Sequence, residues 1–216
     1  MPDLRFEVTG VAAPAHAMLP TLVFALSVTN TPADEVIHSV LLRCQLQIAA
    51  THRSYSPEAK ARLVEVFGAP ERWRETLRPL LWTHTNVVVP RFSGATTVDL
   101  PIPCSYDVEV INGKYFDALE DGEIPLTFLF SGTVFYEGAD AAFQVAQISW
   151  EREASYRLPV AVWHELIARY YPNVAWLLLR KDVFDRLRAF RAAQSLPTWE
   201  QTLTRLLDTA DVEARP

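Results

Sequence analysis

Cysteine and glycine are scarce in this sequence, which contains two cysteines and seven glycines among its 216 residues. Cys44 and Cys104 lie far apart, whereas a disulfide-stapled secreted domain contains more cysteines at closer spacing. A chain of this length buries roughly 70% of its extended-chain surface and therefore folds without a disulfide or a metal. The composition excludes a small disulfide scaffold and is typical of a globular protein.

Basic residues are also fewer than acidic ones, and long apolar runs are absent from the sequence. The sequence contains 26 acidic and 20 basic side chains, a net charge of −6. Nucleic-acid binding needs a cationic surface, so this balance argues against a nucleic-acid partner. The apolar runs are far shorter than the roughly 20 residues that cross a bilayer, and residues 1–6 lack the apolar segment of a signal peptide. We therefore expect a cytoplasmic protein without a membrane span.

Signature motifs of common enzymes are missing as well. The stretch Phe130–Thr133 lacks the Gly-x-Ser-x-Gly pattern that presents a nucleophilic serine. Residues 163–165 begin like the zinc-binding His-Glu-x-x-His helix, but position 168 is alanine, so the second histidine ligand is lost. The sequence also lacks the glycine-rich patterns that cradle nucleotide phosphates. It therefore gives no catalytic residue, and we lean against an enzyme.

Alternation of apolar and polar residues predicts strands through most of the first 157 residues. The best example is the stretch 36–48, where Val36, His38, Val40 and the following alternate residues share one face. About eight strands with short turns predict an antiparallel β-sandwich over residues 1–157. The other stretches that we predict as strands are Leu4–Val8, Leu22–Val28, Leu80–Val89, Ala95–Ile102, Tyr106–Ile111, Ile124–Tyr136 and Phe143–Trp150.

Helical periodicity interrupts the strands at residues 56–78 and returns near the end of the chain. Ser56 is a predicted N-cap, followed by Pro57 at the first helical position, and Gly68 ends that helix. Residues 158–210 predict three amphipathic helices, and 211–216 a disordered tail. Each helix has an apolar stripe that needs a partner, so we expect this region to pack on the sandwich. The predicted fold class is α+β.

Four side chains could in principle bind a metal, namely His38, Cys44, His84 and Cys104. All four could point inward from strands, and imidazole together with thiolate would suit zinc. The compact Cys-x-x-Cys and His-x-x-x-His pairings of structural sites are absent, however, and buried cysteines often serve as small hydrophobic residues. We therefore expect no metal and no cofactor.

Tryptophan and arginine supply the candidate partner-binding residues. The six tryptophans exceed what a core of this size strictly requires, and tryptophan is enriched at interfaces. Trp73 and Trp199 lie among polar neighbours, as interface anchors do. A basic group that includes Arg180, Arg188 and Arg191 could contact an acidic partner. Each group also has a structural alternative. The tryptophans could pack in the core, and the arginines could form the solvated side of a helix.

Several stretches also resemble an uncharacterised bacterial family along the whole chain: Ala17–Phe24, Leu80–Cys104, Asp121–Phe135 and Leu158–Trp163. That family has no assigned activity, so the resemblance transfers no functional residue. It is associated with gene neighbourhoods of uptake-type nickel–iron hydrogenases. The resemblance therefore implies an accessory or assembly role beside such a hydrogenase.

Two functional hypotheses follow. The first is a non-catalytic interaction or accessory protein with a protein partner, for which a hydrogenase component is one candidate. The alternative is a small-ligand or metal-binding β-sandwich with an unrecognised enzymatic activity around His38, His84 and Cys104. The alternative requires these three side chains to converge beside a pocket. The sequence does not indicate the oligomeric state.

Overall fold

The computed structural model describes residues 2–104, 110–138, 142–172, 177 and 179–213. The chain separates into two compact units, Met1–Asn173 and Val174–Pro216. The first unit contains the sandwich together with the helix that follows its last strand. The boundary therefore lies after the position near residue 157 where the sequence predicts it.

The first unit is built on two antiparallel sheets, as the alternation predicts. The strands found in the described residues are β1 (Asp3–Ala12), β2 (Thr21–Thr31), β3 (Val36–Ile48), β4 (Leu80–Val89), β5 (Phe92–Ser93), β6 (Ala95–Pro103), β7 (Glu123–Glu137), β8 (Phe143–Gln147) and β9 (Glu153–Pro159). One sheet has the order β1-β2-β6, and the larger one has the order β4-β3-β7-β8, with β5 beside β3 and β9 beside β7.

Aromatic side chains fill the space between the two sheets. The Phe6 ring of β1 stacks on Phe130 of β7, with 4.4 Å between the ring centroids. The Phe24 ring of β2 meets the edge of Phe128, at 5.2 Å. Phe24 and Phe128 are fully buried. Each buried aromatic ring removes roughly 150–250 Å² from water, so this layer contributes much of the stability of the sandwich. The two sheets packed through this layer confirm the predicted fold class.

Two irregularities change which residues face the core. The register of β3 against β7 shifts between Ile37 and Ser39, so Ile37 is buried and His38 is only half-buried. The prediction that His38 shares the inner face of Val40 is therefore wrong, because a bulge reverses the alternation at this point. A second register shift leaves Trp82 of β4 without a directly opposite residue on β3, and Trp82 is buried while His84 is exposed.

Seven α-helices complete the described part of the chain. They are α1 (Pro57–Arg62), α2 (Val64–Phe67), α3 (Trp73–Thr76), α4 (Val110–Asp117), α5 (Val160–Tyr170), α6 (Lys181–Ala193) and α7 (Trp199–Glu213). The predicted insertion at 56–78 is present as α1 to α3, and the Ser56 side chain accepts a hydrogen bond from the Ala59 amide. None of these helices is long and apolar enough to cross a membrane.

Helix α4 replaces the end of a predicted strand. The sequence predicts a strand at Tyr106–Ile111 that stops at Asn112-Gly113, but the chain is helical from Val110. Residues 106–109 of that stretch lie outside the described part. Asn112 is buried and donates a hydrogen bond to the Leu81 carbonyl, and the Tyr115 ring is fully buried. Burial along α4 therefore overrides the local turn signal.

Helix α5 belongs to the first unit, and helices α6 and α7 form the second. Val160, Trp163 and Leu166 of α5 are buried, and the Trp163 ring lies 4.2 Å from that of Phe116 on α4. In the second unit, the Thr198 side chain accepts a hydrogen bond from the Gln201 amide just before α7 begins. It continues to Glu213, within the predicted tail, of which residues 214–216 lie outside the described part.

Candidate functional site

The four candidate metal ligands are not brought together. His38 lies 3.7 Å from the carboxylate of Glu137, whereas the exposed His84 lies 3.3 Å from the side-chain oxygen of Gln45. Cys44 and Cys104 are both buried. Within the described residues, no group of three or more His, Cys, Asp or Glu side chains is close enough to bind a metal ion.

The two thiols behave as core groups. Cys44 occupies the inner face of β3, and burial raises its pKa to about 12 because the thiolate would lose its hydration. Cys104 donates a hydrogen bond to the Ile102 carbonyl at 3.3 Å. A nucleophilic or metal-binding cysteine needs its thiolate form, so the environment of Cys44 is the opposite of an activated site.

Trp73 is a core residue of the helical insertion. Only 8% of its surface is exposed, and its indole N–H donates to the Gly68 carbonyl at 3.0 Å. Its ring meets the edges of Tyr55 at 5.3 Å and Phe67 at 5.8 Å. The ring therefore offers little surface to a partner. This burial favours a structural role for Trp73 over a role as an interface anchor.

Trp199 and the arginines of the second unit contact one another or nearby carboxylates. The Arg191 guanidinium lies over the half-buried Trp199 ring at 4.2 Å, as in a cation–π pair. Arg188 lies 3.4 Å from Asp185. Arg180 pairs with both oxygens of Asp182 and lowers the pKa of that carboxyl through these hydrogen bonds. The basic group is thus an exposed helical face with local partners.

Several exposed apolar side chains lie together on the outer face of the larger sheet. Leu41 of β3 and Val88 of β4 are direct cross-strand neighbours, exposed by 51% and 61%. Phe143 and Val145 of β8 are exposed by 63% and 55%, and Val145 lies opposite Phe135 of β7. The Phe135 and Phe143 rings stack at 5.8 Å. We call these five residues the outer cluster.

The outer cluster is continuous across four strands. Leu41 lies opposite Thr133 of β7, and Thr133 lies opposite Gln147 of β8. Phe135 follows Thr133 by two positions on the same face, so it is a diagonal neighbour of Leu41, within reach of a large side chain. The exposed apolar groups therefore form one surface instead of isolated residues.

A groove of about 520 Å³ crosses the same face, with polar groups along it. Its lining includes Leu41 and Val88 as well as Arg43, Asn86 and Gln147. Arg43 lies opposite Asn86 on one side and Ser131 on the other. The face thus combines apolar contact area with a central cation and amide groups, the composition of a protein-binding surface.

Gly132 shapes the sheet beneath this groove. Its φ is +143°, and a Cβ at this position would lie 2.0 Å from the Leu41 carbonyl oxygen. Here β7 changes partner, since it pairs with β9 up to Leu129 and with β8 from Thr133 onward. The Gly132 carbonyl between these regions accepts from the Ile148 amide at 2.9 Å. Only glycine permits this close approach of β7 to β3.

Sequence reasoning did not identify the outer cluster as a site. The available signal is Leu41, which together with Ile37 interrupts the otherwise polar face of Ser39, Arg43, Gln45 and Gln47. Alternation along β4 predicts that Val88 shares the face of Trp82, but the register shift at Trp82 leaves Trp82 buried and Val88 exposed. The cluster becomes visible only when β4, β3, β7 and β8 are placed side by side.

These features define an α+β protein built on a two-sheet sandwich, with an apolar outer face on the larger sheet. The chain matches the family described as "Family of unknown function (DUF6084)" over residues 1–215, and it belongs to that family. No curated protein matches the chain.

Some solved structures are similar to part of the chain. A late embryogenesis abundant (LEA) protein is 14% identical, with a TM-score of 0.33, over 74% of this chain and 72% of that one. The CARDB domain of a Pyrococcus furiosus protein, in complex with two metal ions, is 9% identical, with a TM-score of 0.28, over 73% and 92%. β-Glucosidase 3B from Thermotoga neapolitana is 10% identical, with a TM-score of 0.27, over 72% and 17%. These similarities are too distant to support a functional argument.

Proposed function

We propose that this chain is a non-catalytic interaction protein and that a protein partner covers the outer cluster. The supporting observation is the contiguous exposure of Leu41, Val88, Phe143 and Val145, each more than half exposed, on one face of the larger sheet. Exposed apolar surface is unfavourable in water, and a contiguous patch of it commonly marks an interaction site. The polar groups along the groove would fix the orientation of the partner.

A protein is the better occupant than a small ligand because the apolar groups are spread across four strands. Small-molecule sites are concave and bury most of their ligand, whereas this groove lies open on a sheet face. A macromolecule can cover Val88 at one end and Phe143 at the other simultaneously. Aromatic and aliphatic groups such as Phe143 and Leu41 would supply most of the binding free energy.

The resemblance to a family found near nickel–iron hydrogenases adds a specific candidate partner. On that basis we propose a component of such a hydrogenase as the protein that the outer cluster binds, and an accessory role in its assembly. A cytoplasmic location is part of the same proposal, and the buried free thiol of Cys44 is compatible with a reducing compartment.

Affinity capture from a bacterium that encodes both the chain and the hydrogenase tests this proposal. Tagged wild-type chain should retain a hydrogenase component, and the double variant Leu41→Glu/Val88→Glu should retain at least about tenfold less, since each charge would be buried against apolar surface. The matched control is Met18→Glu/Leu19→Glu, which places two charges on exposed apolar residues of the loop before β2. It should retain the wild-type amount.

Two results would contradict the proposal. One is capture of the chain alone under all conditions, with no partner protein. The other is equal loss of the partner in both double variants, which would show that added charge, and not the outer cluster, is responsible. Circular dichroism of each variant confirms that the fold is intact before the comparison is made.

The alternative of a metal-binding sandwich with enzymatic activity is tested independently by elemental analysis. Its candidate ligands include His38 on an outer position and Cys44 in the core, so the geometry favours the interaction proposal. Stoichiometric zinc, nickel or iron in the purified protein would instead support the alternative.

A further inference from the structure

The helical hairpin of α6 and α7 exposes apolar side chains on both of its helices. Val183 and Phe184 of α6 are each 39% exposed, and Leu203 and Leu206 of α7 are each 37% exposed. Leu207 reaches 66%. The helices contain 13 and 15 residues, and no described side chain of α6 is fully buried. Helices of this length owe most of their stability to packing of an apolar face, so this hairpin needs a further surface.

The exposed residues of each helix belong to one stripe. Val183, Phe184, Leu187 and Phe190 recur at spacings of three and four on α6, and Trp199, Leu203, Leu206 and Leu207 do so on α7. The two stripes meet inside the hairpin where the Phe184 ring lies 5.2 Å from the Trp199 ring. The stripes thus meet at this ring contact, while Leu203, Leu206 and Leu207 remain exposed.

The two helices have opposite charge. Helix α6 contains four cationic and two anionic residues, a net charge of +2. Helix α7 contains one cationic and four anionic residues, a net charge of −3. On a helical projection, Arg186 and Arg188 flank the apolar stripe of α6 on its two sides, and Glu200 borders the stripe of α7. An apolar seam with charged flanks is the pattern by which helices choose their partners in bundles.

From these observations we propose that two copies of this chain associate through their C-terminal hairpins into an antiparallel four-helix bundle. In a two-fold arrangement, α6 of each copy lies beside α7 of the other, so the cationic helix meets the anionic helix twice. The same contact covers Leu203, Leu206 and Leu207 in both copies. A second copy is the expected occupant, because its α7 and α6 have charges opposite to those of α6 and α7 in the first copy.

This proposal gives a role to the arginines and to Trp199. Arg191 holds the Trp199 ring and thereby fixes the two helices of one hairpin against each other. The ion pairs of Arg180 with Asp182 and of Lys181 with Asp185 stabilise the first turn of α6. Arg186 and Arg188 then contribute the positive flanks that approach α7 of the second copy. Their number and placement favour attraction between copies over like-charge repulsion.

Light scattering of the full-length chain tests the proposal. The wild-type chain should have twice the 24.4 kDa mass of one copy at micromolar concentration and should dissociate on dilution. Leu203→Glu/Leu207→Glu should shift the midpoint of dissociation to at least about tenfold higher concentration, because it puts charges into the apolar seam. The control Leu41→Glu/Val88→Glu, which alters the outer cluster, should dissociate as the wild type does.

A charge exchange gives the sharpest form of the test. Arg186→Glu/Arg188→Glu makes α6 anionic, and Glu200→Lys/Asp208→Lys makes α7 cationic, so each variant alone should be monomeric. An equimolar mixture should form a heterodimer, because both contacts between unlike copies are again between opposite charges. Circular dichroism checks that each variant keeps its helices.

A wild-type chain that is monomeric at all accessible concentrations would overturn the proposal. Failure of the mixed variants to associate, when each alone is helical and monomeric, would also overturn the proposed pairing of α6 with α7. Neither result bears on the outer cluster, since the capture experiment uses variants of the larger sheet and reads a different protein.

Discussion

At the scale of single residues, Gly132 has a backbone conformation and a close contact that only glycine permits. A Cβ there would collide with the Leu41 carbonyl oxygen at 2.0 Å, in a conformation that L residues rarely adopt. We expect Gly132→Ala to lower the free energy of unfolding by at least about 2 kcal/mol. Urea denaturation measures this change.

Gly10 of β1 is the matched control for that substitution. A Cβ at Gly10 would meet no atom within 4 Å. Gly10→Ala should therefore leave the free energy of unfolding unchanged or raise it by up to about 1 kcal/mol, because alanine restricts the unfolded chain. Equal stability of the two variants would show that the approach of Gly132 to Leu41 is not a close contact in solution.

Cys44 makes stability depend on pH in the alkaline range. Its pKa is about 12 in the fold, against an ordinary value of 9.0. The stabilising contribution of the neutral thiol is therefore complete below pH 9 and is lost as the pH rises toward 12, since the unfolded chain ionises first. Between pH 9 and 10.5, the wild type should lose stability faster than Cys44→Ala, by at most about 1.4 kcal/mol per pH unit.

Denaturation with urea at several pH values gives this difference directly. Other groups, including the half-buried Tyr55 and the buried Tyr115, contribute to both proteins alike and cancel in the comparison. Parallel slopes for the wild type and Cys44→Ala would contradict burial of the thiol. Cys44→Ala also leaves a small cavity, which shifts the curve at every pH without changing its slope.

At the scale of elements, the helical insertion has a core of its own around Trp73. The indole packs between Tyr55 and Phe67 and donates to the Gly68 carbonyl. Trp73→Phe keeps most of the ring but loses that hydrogen bond, so we expect a loss of about 1 kcal/mol in the free energy of unfolding. Capture of the partner should be unchanged.

Thermal denaturation together with the capture assay separates the two roles of Trp73. If Trp73 is a core residue, its substitution lowers the melting temperature and leaves the amount of retained partner constant. If Trp73 is an interface anchor, the substitution lowers the amount of retained partner and leaves the melting temperature constant. Loss of the partner from a variant of unchanged melting temperature would restore the anchor assignment made from the sequence.

The elements also show why part of the fold could be predicted and part could not. Alternation identified β2 and β3 because the alternate residues of Leu22–Val28 and Val40–Ile48 are apolar and face the core. It failed at His38 and Trp82, because a bulge reverses the faces without leaving a mark in composition. The turn signal at Asn112-Gly113 failed for a different reason, since burial of the neighbouring helix outweighs local preference.

At the scale of the whole molecule, the interaction surface is a product of topology. Leu41, Val88 and the pair of Phe135 with Phe143 are distant from one another in sequence, and only the order β4-β3-β7-β8 makes them neighbours. A single sequence carries no information on strand order beyond general rules of connection, so no inspection of local patterns could assemble this group. The absence of catalytic motifs, by contrast, could be established from the sequence alone.

Side-chain footprinting with hydroxyl radicals, on the chain free and in its purified complex, tests the central claim most directly. If the outer cluster is the docking surface, Leu41, Val88 and Phe143 should lose most of their reactivity in the complex. Met18, which is 98% exposed in a loop, should react equally in both states. Unchanged reactivity of the outer cluster, with protection elsewhere on the chain, would contradict the account.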